Sequence, residues 1–549
     1  MARIALIVSL LTALLALFGF FQWAWAEWKA HRVRKKGMWL GVVVLCLMPA
    51  IADAQTTYNA ASCENTPGQP DVQDAINSAS SGDTVTVPAG TCTWTQGVSI
   101  SGKNLIFSGA GIDVTNITDE GATGYGLLVN TSPAYFVDIS GFTFINGTPH
   151  LGGIVNIGGA NGQENAFRFH HNRILIEAFG SRGIVVTASY GLVDHNELDV
   201  TALTGSIQMI NHNGSQTNTD GGWLPWERPL TLGTGKALYV EDNIWIHNPL
   251  IAGVESGIDN YTGARYVVRF NTIKNTEACG HHGTDSGTYR GGLSFECYNN
   301  SYVNDSANSY RAGTIRSGTG LVFNNTYTGA GAGGFYGVTL VNYRACGAIP
   351  QVQSWGANGC DGTQYVVGSS SSSSTAGRIC CDYSTSPVPG LGGCAAFPTV
   401  TWVNSYGFDA TNPDARPLVV HGTGNSTAFF DGGDGSTFGH PCRDSPGRGP
   451  GQALNPIYEW GNTGSKVPIP MMGSWNLGDA GDCNGQGVEH YIQVNRDYYQ
   501  FSTDTSSPQT TGVRMGTSLP AQCTVGVGYW KTDEGEWDST NGGSPDGNL

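Results

Sequence analysis

The sequence predicts an all-β solenoid, a chain that climbs in short strands around one axis. Two observations lead there. The first is composition: 79 glycines among 549 residues, only 13% charged side chains and abundant Asn, Thr and Ser describe many short strands joined by tight turns, with few long helices. The second is a repeat. The segments "FRFHHNRI", "GLVDHNEL", "LYVEDNIW", "YVVRFNTI", "FECYNNSY" and "GLVFNNTY" share one pattern: an apolar residue, two variable positions, Asn, one variable position, an apolar residue. The asparagines are Asn172, Asn196, Asn243, Asn271, Asn300 and Asn325, separated by 24, 47, 28, 29 and 25 residues. That is the length of one solenoid coil, with one double-length gap.

The first 54 residues are a targeting region, set aside from the fold. Residues 4–26 form a nearly uncharged apolar run long enough to span a bilayer. A complete signal peptide follows: Arg32, Arg34, Lys35 and Lys36 are its basic region, residues 39–47 its apolar region, and Ala52-Asp53-Ala54 its cleavage site. Translation from Val33 or Met38 would leave the first run out of the protein, and the alternative is a true N-terminal anchor. Cleavage after Ala54 removes six Lys/Arg and two Asp/Glu, leaving 21 against 41 and a formal net charge of −20. Such a surface repels nucleic acid and anionic membranes, so neither is an expected partner, and a polyanion would be met only through a cation or a local basic patch. Twelve of the 13 cysteines remain, an even number that in an exported chain favours disulfides. A secreted or cell-surface location is expected.

The segment "DVQDAINSASSGDTVTVPAGTCTW" reads as a short amphipathic helix, a turn and a strand, followed by "GVSISGKNLIFSGAGIDVTNIT". These segments and the repeat together resemble, over residues 71–327, the right-handed parallel β-helix proteins of the pectate-lyase-like superfamily, in which a helix caps the first coil. The resemblance implies a right-handed parallel β-helix over 55–345 and an extracellular polysaccharide as partner. It leaves the activity open, because such folds host lyases, hydrolases and non-catalytic adhesins. Cys63 and Cys92 flank the cap helix and are the expected disulfide.

Alternation along the strands gives a register. Phe167 and Phe169, Leu238 and Val240, Tyr266 and Val268, and Phe295 and Cys297 point inward and stack coil upon coil. Each Asn, at a bend, bonds its equivalents above and below. The double-length gap holds "NHNGSQTNTDGGWLPWERP", a surface excursion with room for a degenerate coil. Two columns face outward: His170, Asp194, Glu241, Arg269, Tyr298 and Phe323, and beside them Arg168, Leu192, Tyr239, Val267, Glu296 and Leu321. With coils about 4.8 Å apart, Glu241, Arg269 and Glu296 should cluster on one surface. That surface is either a saccharide groove or a solvent-facing ladder of ion pairs.

The loop "ACGHHGTDSGTYRGG", residues 278–292, brings His281, His282, Asp285 and Arg290 towards this level, and "YRAGTIRSG" adds Arg311 and Arg316. A lyase needs a base to take the C5 proton of a uronate, here His281 or His282, and cations to neutralise its carboxylate, here Arg290, Arg269 or Arg316. A hydrolase needs two carboxyl groups, with Glu241, Asp285 and Glu296 as candidates. The histidine pair also suits zinc, without a third ligand at a known spacing. Cys279 either pairs with Cys297 or leaves it a buried thiol.

Beyond residue 345 the pattern changes. Residues 346–400 hold five cysteines and "GSSSSSSTAG", a disulfide-pinned insertion. Residues 401–520 contain strand-like "FPTVTWVNSYGF", "NPIYEWGNT" and "HYIQVNRDYYQF", read as terminal coils or an edge sheet. In "FDGGDGST", Asp431 and Asp434 either ligate calcium or only shape a glycine-rich turn. Residues 521–549 carry no capping element, so the expectation is a truncated reading frame. The expected function is action on extracellular polysaccharide, lyase-like or hydrolytic, with a non-catalytic binding or adhesive solenoid as the alternative.

Overall fold

A computed structural model describes residues 55–340 apart from 122–123, 133–134, 148–151, 178–181, 202–207, 215–227, 248–256, 281–290, 306–309 and 330–334. Beyond 340 it describes 364–367, 379–382, 399–400, 418–419, 446–450, 454–464, 497–500, 512–519, 521 and 527–531. The region 1–54, the Cys/Ser-rich insertion apart from its strands, and the candidate calcium residues Asp431 and Asp434 lie outside the described residues.

Among the described residues the chain coils through three parallel sheets of 12, 10 and 6 strands. As far as Ile258–Tyr261 each full coil visits the six-stranded, then the twelve-stranded, then the ten-stranded sheet, and further on Tyr310–Ile315 and Phe335–Leu340 pair as a separate two-stranded sheet. Val155–Gln163, Phe167–His170, Arg173–Ile176 and the next coil's Arg182–Ser189 show the order. This is the parallel β-helix that the repeat predicts. The predicted inward pairs are all buried in one continuous core, Phe167, Phe169, Leu238, Val240, Tyr266, Val268, Phe295 and Cys297 among them. Rings stack along it, as Phe142 does on Phe107 at 4.8 Å and on Phe144 at 5.1 Å.

One helix, Asp71–Ser78, closes the first-coil end with Val72, Ala75 and Ile76 in the core. Asp71 and Asp74 occupy its first turn, where the helix dipole favours acids. Lys103 Nζ donates to the Ile76 carbonyl at its last turn. The expected Cys63–Cys92 disulfide is present beside it.

The asparagines form a ladder. Asn172 Oδ1 accepts the backbone N–H of Phe142, and each later Oδ1 accepts the N–H of the preceding Asn, from Asn172 to Asn196 at 3.0 Å through Asn300 to Asn325 at 3.1 Å. Each amide nitrogen in turn donates to a carbonyl of the coil before, as Asn271 Nδ2 does to Val240 O at 2.9 Å. Asn462 extends the row past Asn325. The residue before each rung is left-handed: His171, His195, Asp242, Phe270, Asn299 and Asn324 have φ between 51° and 58°, and Gly461 has 63°. At each of these rungs the corner is therefore two residues long, one left-handed and one Asn.

The double-length gap holds no extra coil. Leu192–Asp194 pairs directly with Leu238–Glu241. The surplus residues are an excursion from one coil, and the degenerate coil is corrected.

Candidate functional site

The predicted outward columns are in register across the twelve-stranded sheet: His170 pairs Asp194, Asp194 pairs Glu241, Glu241 pairs Arg269, Arg269 pairs Tyr298, and Tyr298 pairs Phe323. They do not all face solvent, which corrects the expected open groove. The side chains of Glu241 and Arg269 are fully buried and joined Oε2 to Nε at 2.5 Å. Arg269 Nη1 donates to the Tyr298 hydroxyl at 2.8 Å, and its guanidinium lies 4.7 Å from the Tyr239 ring centre. Glu296 is buried and its Oε1 accepts the Gly233 N–H at 2.7 Å. Arg316 is buried as well.

The cause is the column itself. Tyr298, Phe323 and Trp460 stack at 4.5 and 4.1 Å, and with Tyr239, Val267 and Leu321 they form a second apolar cluster outside the sheet. Leaving it open would expose a large apolar strip. The returning end of the excursion, residues 228–237, lies on it. Leu232 packs against the cluster, Arg265 Nη1 donates to Thr231 Oγ1 at 2.7 Å, and Arg265 Nη2 donates to the Arg228 carbonyl. Glu296, Arg265 and Tyr239, whose hydroxyl donates to the Thr234 carbonyl at 2.8 Å, therefore hold the cover in place, and Glu241 and Arg269 are a buried pair in the same column.

The loops indicate where a ligand could lie. From the Asn172 rung to the Asn325 rung the Asn corner is constant, so the variation in coil length there falls on the other side, at the corners that border the six-stranded sheet. There the chain runs from Val200 to Gln208, from Asn213 to Leu238 and from His247 to Ile258. Variable loops gathered on a rigid sheet are the usual setting of binding sites. The outer face of this sheet carries a polar array that the repeat did not reveal. Arg182 Nε donates to Gln208 Oε1 at 2.6 Å, and Gln208 Nε2 donates to Asp259 Oδ2. Asn211 Nδ2 donates to Gln208 Oε1 at 3.0 Å and to Asp259 Oδ2 at 3.1 Å, and Tyr261 OH donates to Asn211 Oδ1 at 3.4 Å. Arg182, Gln208 and Tyr261 are partly exposed. One turn on, Thr314 Oγ1 donates to Glu277 Oε2 at 2.9 Å, beside Arg311. Asn211 and Asp259 are buried behind them, so a guanidinium, an amide and a phenol can meet the hydroxyls of a saccharide, while Asp259 beneath and Glu277 beside them offer acid or base chemistry.

His281, His282, Asp285 and Arg290 lie outside the described residues, but both roots of their loop are described. Gly280 accepts the Thr314 N–H through its carbonyl, and Gly291 bridges Tyr261. The loop thus springs from the border of the six-stranded sheet. Its root is pinned by the Cys279–Cys297 disulfide, which decides the alternative left open for Cys297.

A third cluster sits at the Asn corner. Arg168 holds Asp194 with two bonds of 2.9 and 2.7 Å, which raises the guanidinium pKa, and His195 Nδ1 also bonds Asp194 at 2.8 Å. His170 joins Asp138 at 2.9 Å and His171 at 2.8 Å. Partial desolvation, then the neighbouring His170 and His195, lowers the His171 pKa below the usual histidine range. No group of three His, Cys, Asp or Glu side chains arranged to hold a metal occurs among the described residues.

Parallel coils, an asparagine ladder and loop roots gathered at the borders of one sheet define the class, a parallel β-helix protein. No protein-family model matches the chain and no curated protein matches it. Solved structures similar to it include an alginate lyase from Paenibacillus sp., 14% identical over 52% of this chain and 98% of that one, with a TM-score of 0.29. A Geobacillus virus E2 protein is 12% identical over 55% of this chain and 62% of that one, with a TM-score of 0.21.

Proposed function

We infer that the protein acts outside the cytoplasm on a polysaccharide laid across the outer face of the six-stranded sheet, as a lyase-like or hydrolytic enzyme. The observation that carries this reading is the Arg182–Gln208–Asn211–Asp259–Tyr261 array at the foot of the variable loops. Asp259 and Glu277 are its acid and base candidates. His281, His282, Asp285 and Arg290 join them from the loop rooted beside Tyr261, where a histidine would take a proton and Arg290 would neutralise a uronate carboxylate. The two disulfides and the N-terminal signal support export.

A panel of acidic and neutral polysaccharides, assayed both for new reducing ends and for the ultraviolet absorbance of an unsaturated product, tests the reading. Turnover should fall by about 10²–10⁴-fold in Asp259→Asn if Asp259 is the acid or base. A second reading rests on the array's internal satisfaction, since Asp259 already accepts from both Gln208 and Asn211. Saturable glycan binding that Asp259→Asn abolishes, without turnover of any polymer, would establish a binding solenoid instead.

A further inference from the structure

We propose that His171 and His195 bind one divalent transition-metal ion of the zinc, nickel or copper class through their Nε2 atoms. The site lies at the Asn corner, between the twelve- and ten-stranded sheets and away from the loop-bordered face.

The backbone brings the two rings together. Each histidine occupies the left-handed position before a ladder Asn, with φ of 51° and 53°. His171 and His195 belong to successive coils, and the His171 N–H donates to the His195 carbonyl at 3.2 Å. Their rings are parallel within 3°, with centres 5.1 Å apart. Both residues are exposed.

The hydrogen bonds then fix which nitrogens are free. Asp194 is a buried carboxylate already held by Arg168, so it accepts, and His195 Nδ1 must be the protonated nitrogen in their 2.8 Å bond. This leaves the lone pair of His195 on Nε2. At His171 the chain is one link longer. Asp138 accepts from His170 Nε2–H at 2.9 Å, so in the neutral ring His170 Nδ1 carries a lone pair and accepts from His171 Nδ1–H at 2.8 Å. His171 is likewise left with its lone pair on Nε2. Neither Nε2 has a hydrogen-bonding partner among the described residues.

A histidine whose far nitrogen donates to a carboxylate, directly or through one relay, is oriented and made more basic as a metal ligand. Two such imidazoles side by side are a donor set suited to zinc, copper or nickel. Other residues at this corner position, Asp242, Phe270, Asn299, Asn324 and Gly461, supply no further imidazole. With no three-residue cage formed, water completes the coordination shell. Zn–N bonds are about 2.0–2.1 Å, so the exposed rings must lean together, which side-chain rotation allows.

The test is calorimetric titration of the full chain with ZnCl₂ and NiCl₂, in wild type and in His171→Asn, His195→Asn and the double variant. Asn retains the left-handed backbone at both positions, and circular dichroism checks the fold. Wild type should bind one equivalent that the double variant lacks, with each single change weakening it at least tenfold. Asp194→Asn, which leaves both imidazoles in place, should weaken it by about 10–100-fold, an effect that incidental surface histidines would not show. Equal binding by wild type and the double variant, whether none or through other histidines, would overturn the proposal.

Discussion

Asn325 and Asn462 stand 137 positions apart and are bonded amide to amide, Nδ2 to Oδ1, at 3.0 Å. The chain thus resumes its ladder at the next rung after a detour longer than four coils. Asn325 also donates to Cys297 O, and its N–H donates to the same Asn462 oxygen. Every rung therefore satisfies backbone groups of its neighbours as well as its own bend.

Removing a central rung should be costly. Asn271 accepts the N–H and Nδ2 of Asn243 and donates to Val240 O, Arg269 O and Asn300 Oδ1. An unsatisfied buried group costs about 1–3 kcal/mol, and Asn271→Ala leaves several. Its denaturation midpoint should fall by the equivalent of about 3 kcal/mol or more in urea titration. A loss below about 1 kcal/mol would mean that water replaces the rung.

The Glu241–Arg269 pair separates structure from catalysis. Both side chains are fully buried, so removing one leaves the other charge uncompensated, at a typical cost of about 3–5 kcal/mol. Arg269→Met should lose about that much stability, and adding Glu241→Gln should restore part of it. Polysaccharide turnover per folded molecule should stay near wild type in the double variant. A collapse of turnover with the fold intact would return these residues to the catalytic set.

How far the fold could be read in the sequence follows from corner geometry. A two-residue corner keeps the Asn spacing legible, so six rungs, the inward pairs and the outward columns emerge from alignment alone. Asn462 escapes because it lies 137 positions beyond Asn325. The six-stranded sheet escapes because variable loops flank both its edges, so Gln208, Asn211 and Asp259 keep no fixed distance from any Asn. Alternation correctly aims Glu241 and Arg269 outward, but a period of two cannot say that they are buried or that residues 228–237 return onto the Tyr298–Phe323–Trp460 cluster of the same column.

Stability should fall with acid because of two inward histidines. His212 lies in the same column as Val186, and burial pushes its pKa down to about 3. His247 is pushed down to about 4 for the same reason. Their unfolded pKa is near 6.5, so between 6.5 and these values the unfolded chain binds protons that the folded chain does not. Stability is therefore whole above pH 6.5 and declines as pH falls, by at most about 1.4 kcal/mol per pH unit for each histidine. His212→Gln should flatten the melting-temperature profile between pH 6.5 and 4, and a profile as steep as wild type would place the acid sensitivity elsewhere.

The Cys279–Cys297 disulfide ties the root of the 281–290 loop to an inward position of the twelve-stranded sheet, over a separation of 18 residues. A closure of this size stabilises by about 3 kcal/mol in the chain-entropy account. The paired change Cys279→Ala and Cys297→Ala should cost about that much, measured by urea denaturation under oxidising conditions. Because Gly280 also holds Thr314, whose hydroxyl bonds Glu277, loosening the root should disturb the polar face more than the distant ladder. Amide exchange should accordingly rise around 277–280 and 312–314 while Asn196 and Asn243 stay protected. Uniform deprotection along the whole coil stack would show instead that the bond braces the solenoid as one unit and has no particular hold on the loop.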